Sequence, residues 1–239
     1  SILQENRKRI ICMCFAKLEI SGGVMVALRH AAYLQDAGYH VMLLSFYDTC
    51  TEFTFMNHSF PVLPFKNEKL DAKIDCGVAT MWPTVKMLDD VRCIENKKYL
   101  VQGYEVDFYD FKDPRKVEAS VTYSYPFDCI TVSKWCKEWL KSEFNKDAKW
   151  IYNGIDIEQY KNHKREFKGK IRILIEGDSS SKYKNVDEAF TITNKLDSSK
   201  YEIWYMSYNA KPKDWYRVDK FLHRVPYEEV QKVYADCDI

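Results

Sequence analysis

The sequence predicts an α/β fold: one complete doubly wound parallel-sheet domain over residues 1–165, then part of a second over 166–239. Three observations carry this. The chain opens on a short apolar run, a glycine turn, a helical period and another apolar run. The same order of pieces restarts at Ile171. Between the two lies a charged segment, Tyr160 to Lys170, that reads as a solvated linker.

Ile10, Ile11, Met13 and Phe15 hold too little polarity for a half-exposed strand, so they predict a buried parallel one. Gly22 and Gly23 turn the backbone without Cβ clashes, and Ser21 is placed to cap the helix that follows. Val24, Ala27, Leu28, Ala31 and Leu34 share one helical face; Gly38 ends the helix and Val41 to Phe46 returns as a strand. A helix opening after two glycines offers free N–H groups and a positive dipole end to an anion, although such a turn also serves plain helix–sheet packing.

Residues 47–70 predict a long loop or small hairpin, in which His58 reads as a solvated side chain rather than a base. Short strands follow at Cys76–Ala79, ending in Thr80-Met81-Trp82-Pro83-Thr84, and at Lys98–Gln102, ending in Gly103-Tyr104-Glu105. A helix from Val85 to about Val91 separates them. Strand ends of this kind are where open parallel sheets keep ligands. There a carboxylate takes hydroxyl hydrogens and an aromatic face lies on sugar C–H groups; covering the sheet edge is the alternative for Trp82 and Tyr104. Asp128–Val132 is again a strand, Ser133 caps the helix Lys134–Phe144, and Lys149–Tyr152 ends in the turn Asn153-Gly154. In the second domain, Ile171–Ile175 leads through Gly177 into the polar loop Asp178–Lys184. Asn185 and Glu188 look like a capping box, with Val186, Ala189, Phe190, Thr193 and Leu196 as the buried face. Strands Glu202–Ser207 and Lys220–Val225 and a helix Tyr227–Ala235 complete the reading.

Lys and Arg number 36 against 35 Asp and Glu, a net charge of +1, which argues against a nucleic-acid partner. The eight cysteines form no C-x-x-C pair, so no structural metal is expected and reduced thiols in a cytoplasmic protein are. No apolar run is long enough to span a bilayer, and no strongly basic amphipathic helix stands out to dock on one.

The order of motifs resembles the family 4 glycosyltransferases of the GT-B fold. The matching stretches are Gly22-Gly23 with Gly38-Tyr39-His40-Val41, Thr131-Val132-Ser133, and Asn153-Gly154-Ile155-Asp156. They continue through Ile175-Glu176-Gly177-Asp178 with Lys184-Asn185, then Arg224 to Val230 and Tyr234 to Asp238. Gln102-Gly103-Tyr104-Glu105 is similar to the Q-x-Y-E of a branch that includes bacterial rhamnosyltransferases of surface and capsular glycan assembly. The resemblance implies two Rossmann-like domains across a cleft, and metal-independent, retaining transfer of a hexosyl or rhamnosyl unit to a glycan acceptor. The donor is a nucleotide-diphosphate sugar, with no further cofactor. It implies Gly22, Gly23, Lys182 and Lys184 at the donor phosphates and Arg224, Val225 and Pro226 at the nucleobase. Trp82, Thr84, Tyr104 and Glu105 are then the acceptor candidates. A lipid-linked acceptor would bring the protein to the inner face of the membrane as a peripheral partner. Two departures stand out. Asp178 occupies a place where the family often has Arg, with Lys182 as the compensating cation. The family's catalytic glutamates, E-x7-E, are expected beyond Ile239, so the chain is expected to be an incomplete piece with little activity alone. A non-catalytic glycan- or nucleotide-binding module and a nucleotide-sugar epimerase are the competing functions, since fold does not dictate chemistry.

Overall fold

The computed structural model describes residues 9–19, 21–65, 73–161 and 167–239. The chain divides into two compact units, Ser1–Asn153 and Gly154–Ile239. The division thus falls between Asn153 and Gly154, in irregular chain rather than the turn expected there, whereas the boundary expected near 165 lies outside the described residues.

In the first unit the strands are β1 (Ile10–Phe15), β2 (His40–Ser45), β3 (Glu52–Phe55), β4 (His58–Pro64), β5 (Cys76–Ala79), β6 (Lys97–Val101), β7 (Asp128–Thr131) and β8 (Lys149–Trp150). They form one sheet in the order β3-β4-β2-β1-β5-β6-β7-β8, parallel throughout except where β3 pairs antiparallel with β4. The helices are α1 (Gly22–Asp36), α2 (Trp82–Asp90), α3 (Arg115–Thr122) and α4 (Lys134–Phe144). Both faces of β1 are covered. Ile11, Met13 and Phe15 pack with Ala27, Leu28 and Ala31 of α1. Cys12 and Cys14 pack into the opposite core with Val85 and Leu88 of α2 and Trp139 of α4. Two-sided burial is why β1 reads as continuously apolar rather than alternating.

The hairpin alternative for residues 47–70 is the one that forms, turning at Met56 and Asn57, both at positive φ (49° and 62°). That pair suits a right-twisted two-residue hairpin turn, and Asn tolerates the conformation with least strain. Helix α3 had no counterpart in the sequence reading. Only Ala119 and Thr122 are buried on it, too thin an apolar stripe to show as a period.

The second unit has β9 (Ile171–Glu176), β10 (Tyr201–Ser207) and β11 (Lys220–His223) in a parallel sheet of order β11-β10-β9. Helices α5 (Val186–Thr193) and α6 (Val230–Asp236) cover opposite faces of it: Phe190 packs against Ile203 and Tyr205, and Val233 against Trp204 and Met206. On the free side of β9, Asp238 and Ile239 donate to the Arg172 carbonyl (2.8 and 3.1 Å) and Leu174 N–H donates to that of Ile239 (2.8 Å). That alternating pattern is how a parallel neighbour pairs, so each unit runs outward from its first strand and then resumes on that strand's other side.

The capping box expected at Asn185 is absent. Asn185 sits in the left-handed region, φ 51°, instead of the extended conformation a capping residue needs, and its amide donates to the Glu188 carboxylate rather than accepting from the helix. Among the described residues no helix is long and apolar enough to cross a membrane.

One substitution tests the first core. A Cβ at Gly77 would lie 2.5 Å from Leu88 Cδ1 and 3.1 Å from Ile94 Cγ2, both buried. Gly77→Ala is therefore expected to destabilise the first unit by about 1–3 kcal/mol, read as a lower urea midpoint at unchanged slope.

Candidate functional site

In the first unit the chain leaves β1 toward β2 on one side and resumes at β5 on the other, so the carboxyl ends of β1 and β5 mark the topological switch point. Four turns meet there. After β1, the Leu18 N–H donates to Asp48 Oδ2 (2.6 Å), which also accepts from the Ser45 hydroxyl (2.6 Å), so a carboxylate beyond β2 fixes the approach to α1. Ser21 caps α1: its backbone is extended and its Oγ accepts from Val24 N at 3.4 Å. Gly22 and Gly23 do not form the turn expected of them: they are the first two residues of α1, neither at positive φ; both are exposed, and a Cβ on Gly22 would meet nothing within 4 Å. The fold therefore does not require glycine at 22, while the open N-terminus of a 15-residue helix lies there.

Gln102 joins these turns. Its Nε2 donates to the Gly23 carbonyl (3.0 Å) and, more weakly, to that of Thr80 (3.5 Å), bridging the first turn of α1 to the end of β5. Thr80 in turn donates its hydroxyl to the Cys14 carbonyl at 2.7 Å, closing β5 onto β1. The sequence reading named Gln102 only as part of a motif. Its bridging role needs two carbonyls that are distant along the chain, and no local signal shows that.

The four residues expected at an acceptor divide sharply. Thr84 is 0% exposed, and its Oγ1 accepts from the N–H groups of Thr80 (3.0 Å) and Met81 (3.1 Å) while donating to the Met81 carbonyl (2.7 Å). Glu105 is 3% exposed; its Oε2 accepts from Trp82 N (2.7 Å) and its Oε1 from the Tyr99 hydroxyl (3.0 Å). Trp82, 6% exposed, donates its indole N–H to Tyr109 Oη (2.8 Å). These three are brought together, but as one buried support for the turn before α2, with their polar atoms already taken. Tyr104 alone keeps a half-open face, its ring parallel to Tyr123 at 6.1 Å and edge-on to Trp139 at 5.2 Å. Beneath it, Tyr123 Oη accepts from Glu105 N (2.9 Å) and donates to the Gly103 carbonyl (3.2 Å). Burial pushes the Glu105 carboxyl up to about 7 against the two hydrogen bonds that favour its ionised form.

In the second unit Gly177, at φ 151°, passes within 2.8 Å (for an added Cβ) of Val186, leaving no room for a side chain. The buried Tyr205 orders the loop beyond it, donating to the Gly177 carbonyl (2.9 Å) and accepting from Ser179 N (3.2 Å). Asp178 turns one carboxylate oxygen into the loop, where it accepts from Ser180 N and Oγ (2.9 and 2.6 Å). Lys182 and Lys184 stand exposed on a short 3₁₀ turn, the Lys184 ammonium 5.4 Å from the Tyr183 ring. Arg224 adopts φ 55° at the end of β11, donating its N–H to the Ser207 carbonyl (3.1 Å). Arg224, Val225 and Pro226 do come together, with Trp204, Lys220 and Lys232, around an open concavity of about 390 Å³. Among the described residues, no three His, Cys, Asp or Glu side chains gather as metal ligands would.

No protein-family model matches the chain, and no curated protein does. Solved structures do. The catalytic domain of starch synthase IV from Arabidopsis thaliana, bound to ADP and acarbose, superposes with a TM-score of 0.57 over 97% of this chain and 77% of that one, at 10% identity. The fold is of the GT-B type. An alpha-glucosyltransferase in complex with UDP and a 13-mer DNA containing a HMU base gives 0.54 over 94% of this chain and 69% of that one, at 12% identity. An alpha-glucosyltransferase in complex with UDP-glucose and DNA containing an abasic site gives 0.50 at 14% identity, over 84% of this chain and 58% of that one. The expectation of no nucleic-acid partner, drawn from charge balance, finds no support where similar structures, these two alpha-glucosyltransferase complexes among them, hold DNA.

The buried carboxyl makes a prediction. A group whose folded-state pKa lies above its unfolded value contributes most below the unfolded value and progressively less as pH rises to the folded one. Wild-type stability is therefore expected to fall between about pH 4.5 and 7, by on the order of 3 kcal/mol, while Glu105→Gln removes that slope. Urea titrations across that range check it, and parallel slopes in the two proteins would refute the assignment.

Proposed function

We propose that this chain belongs to a glycosyltransferase whose donor is a nucleotide-diphosphate sugar. One observation carries the reading most of the way. In both units the chain builds outward from its first strand and then resumes on the far side of that strand, the topology that builds a ligand crevice at the strands' carboxyl ends. Solved structures of this fold hold UDP, UDP-glucose or ADP, and the sequence motifs resemble the family 4 enzymes. In this reading Gly22 and Gly23 contribute backbone N–H groups to an anion on the first unit, and Lys182 and Lys184 contribute cations on the second. A compact ammonium suits a diphosphate leaving group because it offsets the charge that grows there as the sugar departs. The base is assigned to the concavity at Arg224, Val225 and Pro226.

Acceptor contact then passes from the buried Thr84, Trp82 and Glu105 to the half-open ring of Tyr104 and the amide of Gln102. A glycan acceptor, metal-independent transfer and retention of configuration are the finer parts of the proposal, and they rest on the motif resemblance. A hexosyl or rhamnosyl donor stands on the same footing.

Calorimetric titration with UDP-glucose, ADP-glucose and dTDP-rhamnose tests donor use directly. Gly22→Ala discriminates best, because the fold has room for the methyl group. Folding stability is expected to change by less than about 0.5 kcal/mol, whereas the affinity of the preferred donor falls about tenfold or more. Lys184→Ala is expected to weaken the same donor by a similar factor, about 1.4 kcal/mol. Undiminished affinity in both variants would remove these positions from the site. Sugar transfer to oligosaccharide but not to duplex DNA supports a glycan acceptor, and the reverse would replace it.

A further inference from the structure

The carboxyl of Glu105 closes a network that the glycosyl-transfer reading leaves without a task. It lies in the interior, yet it belongs to the turn that carries both Gln102 and Tyr104, the two side chains of that turn that stay partly open. Its Oε2 takes the N–H of Trp82, the first residue of α2 and one of the helix-end donors that would otherwise lack a partner. The same turn is held from below by Tyr123, through Glu105 N and the Gly103 carbonyl. Gln102, three residues before, grips the first turn of α1 through the Gly23 carbonyl.

We propose that Glu105 is a positioning residue for the ligand site of the first unit, a buried carboxyl that keeps the turns before α1 and α2 and the Gln102–Tyr104 turn in one arrangement. The inference rests on the donor reading above. The groups facing the carboxyl are the Trp82 N–H from α2 and the Tyr99 hydroxyl from β6, with Tyr123 at the end of α3 stacked on the Tyr99 ring at 5.7 Å and bonded to Glu105 N. None of them carries a positive charge, so burial of an ionised carboxylate is opposed by desolvation and favoured only by hydrogen bonds.

The protonated form keeps both contacts of the carboxyl. Glu105 Oε1–H then donates to the Tyr99 hydroxyl instead of accepting from it, while Oε2 still accepts from Trp82 and Tyr123 keeps its bonds to Glu105 N and the Gly103 carbonyl. One proton enters from solvent and no other bond is broken. When the proton leaves, the charge is stabilised by moving toward water, which means opening the turn that holds it. The sign follows from linkage: opening becomes easier as pH rises from the unfolded carboxyl range toward 7, and changes little above that.

Amide hydrogen exchange and UDP-glucose titration of the full chain, each followed from about pH 5 to 8, test this. Protection of the Trp82 amide, corrected for intrinsic exchange, is expected to fall at least about tenfold toward pH 7, and the UDP-glucose affinity to weaken over the same interval. Glu105→Gln keeps an acceptor for Trp82 without a titrating proton, so it is expected to hold protection and affinity flat, within about twofold. Glu105→Ala is expected to lose protection at every pH, about tenfold or more, leaving the Gln variant as the rescue. Protection in the unaltered chain that ignores pH, or that changes equally in Glu105→Gln, would overturn the role. So would protection that follows the carboxyl while UDP-glucose binding ignores both pH and the substitution. Binding of none of UDP-glucose, ADP-glucose and dTDP-rhamnose at any pH in the unaltered chain would instead bring down the donor reading, and this role with it.

Discussion

Burial of the opening strand on both faces is the constraint from which the first unit follows. With Ile11, Met13 and Phe15 on one side and Cys12 and Cys14 on the other, β1 can only be an interior strand with helices above and below. An interior first strand leaves the chain two directions in which to add neighbours, and it uses both. The carboxyl ends of β1 and β5 then separate into different connections, and the space between them belongs to neither. The N-terminus of α1 with its two glycines, Gln102 and Tyr104 gather there because the topology opens there. The second unit repeats the device with β9, though Ile173 and Leu174 are less deeply covered.

What surrounds that opening is organised by hydrogen bonds between turns rather than within them. Asp48 holds the approach to α1 from beyond β2, Gln102 holds its first turn from the end of β6, and Glu105 holds the first turn of α2. Each of these side chains satisfies backbone groups that a strand end or helix start leaves open. The result is a rim whose backbone is fixed from behind while Gly22, Gly23 and the Tyr104 face remain toward solvent. In the second unit Tyr205 has the corresponding duty, ordering the loop after Gly177 and leaving Lys182 and Lys184 on its outside. Rigid support behind and open polar groups in front suit a site that must bind a charged, flexible ligand at low ordering cost.

Much of this was legible beforehand, and for definable reasons. β1, α1 and β2 were readable because each obeys a strong local rule: an unbroken apolar run, a helical period with a serine cap, a glycine stop. Helix α3 was not, because its burial is slight and its contacts come from α2 and the turn at Glu105. The capping box at Asn185 failed because the spacing of two residue types says nothing about φ, and the chain arrives there in the left-handed region. Trp82, Thr84 and Glu105 were singled out for chemistry because polar and aromatic residues at a strand end are the usual sign of a ligand contact. They proved to be the layer beneath, since the sequence pattern does not distinguish a carboxylate facing solvent from one facing a buried helix end.

By itself, then, the sequence determined the alternation of strands and helices, the glycine stop at Gly38, the restart of the pattern at Ile171 and the motif resemblance, because these are local properties of chain and composition. Tertiary structure alone decided the strand order, the boundary at Asn153, the partners of Gln102 and the burial of Glu105. Each of those depends on which distant backbone groups are left unpaired once the sheet has formed, and that quantity exists only after the chain has folded.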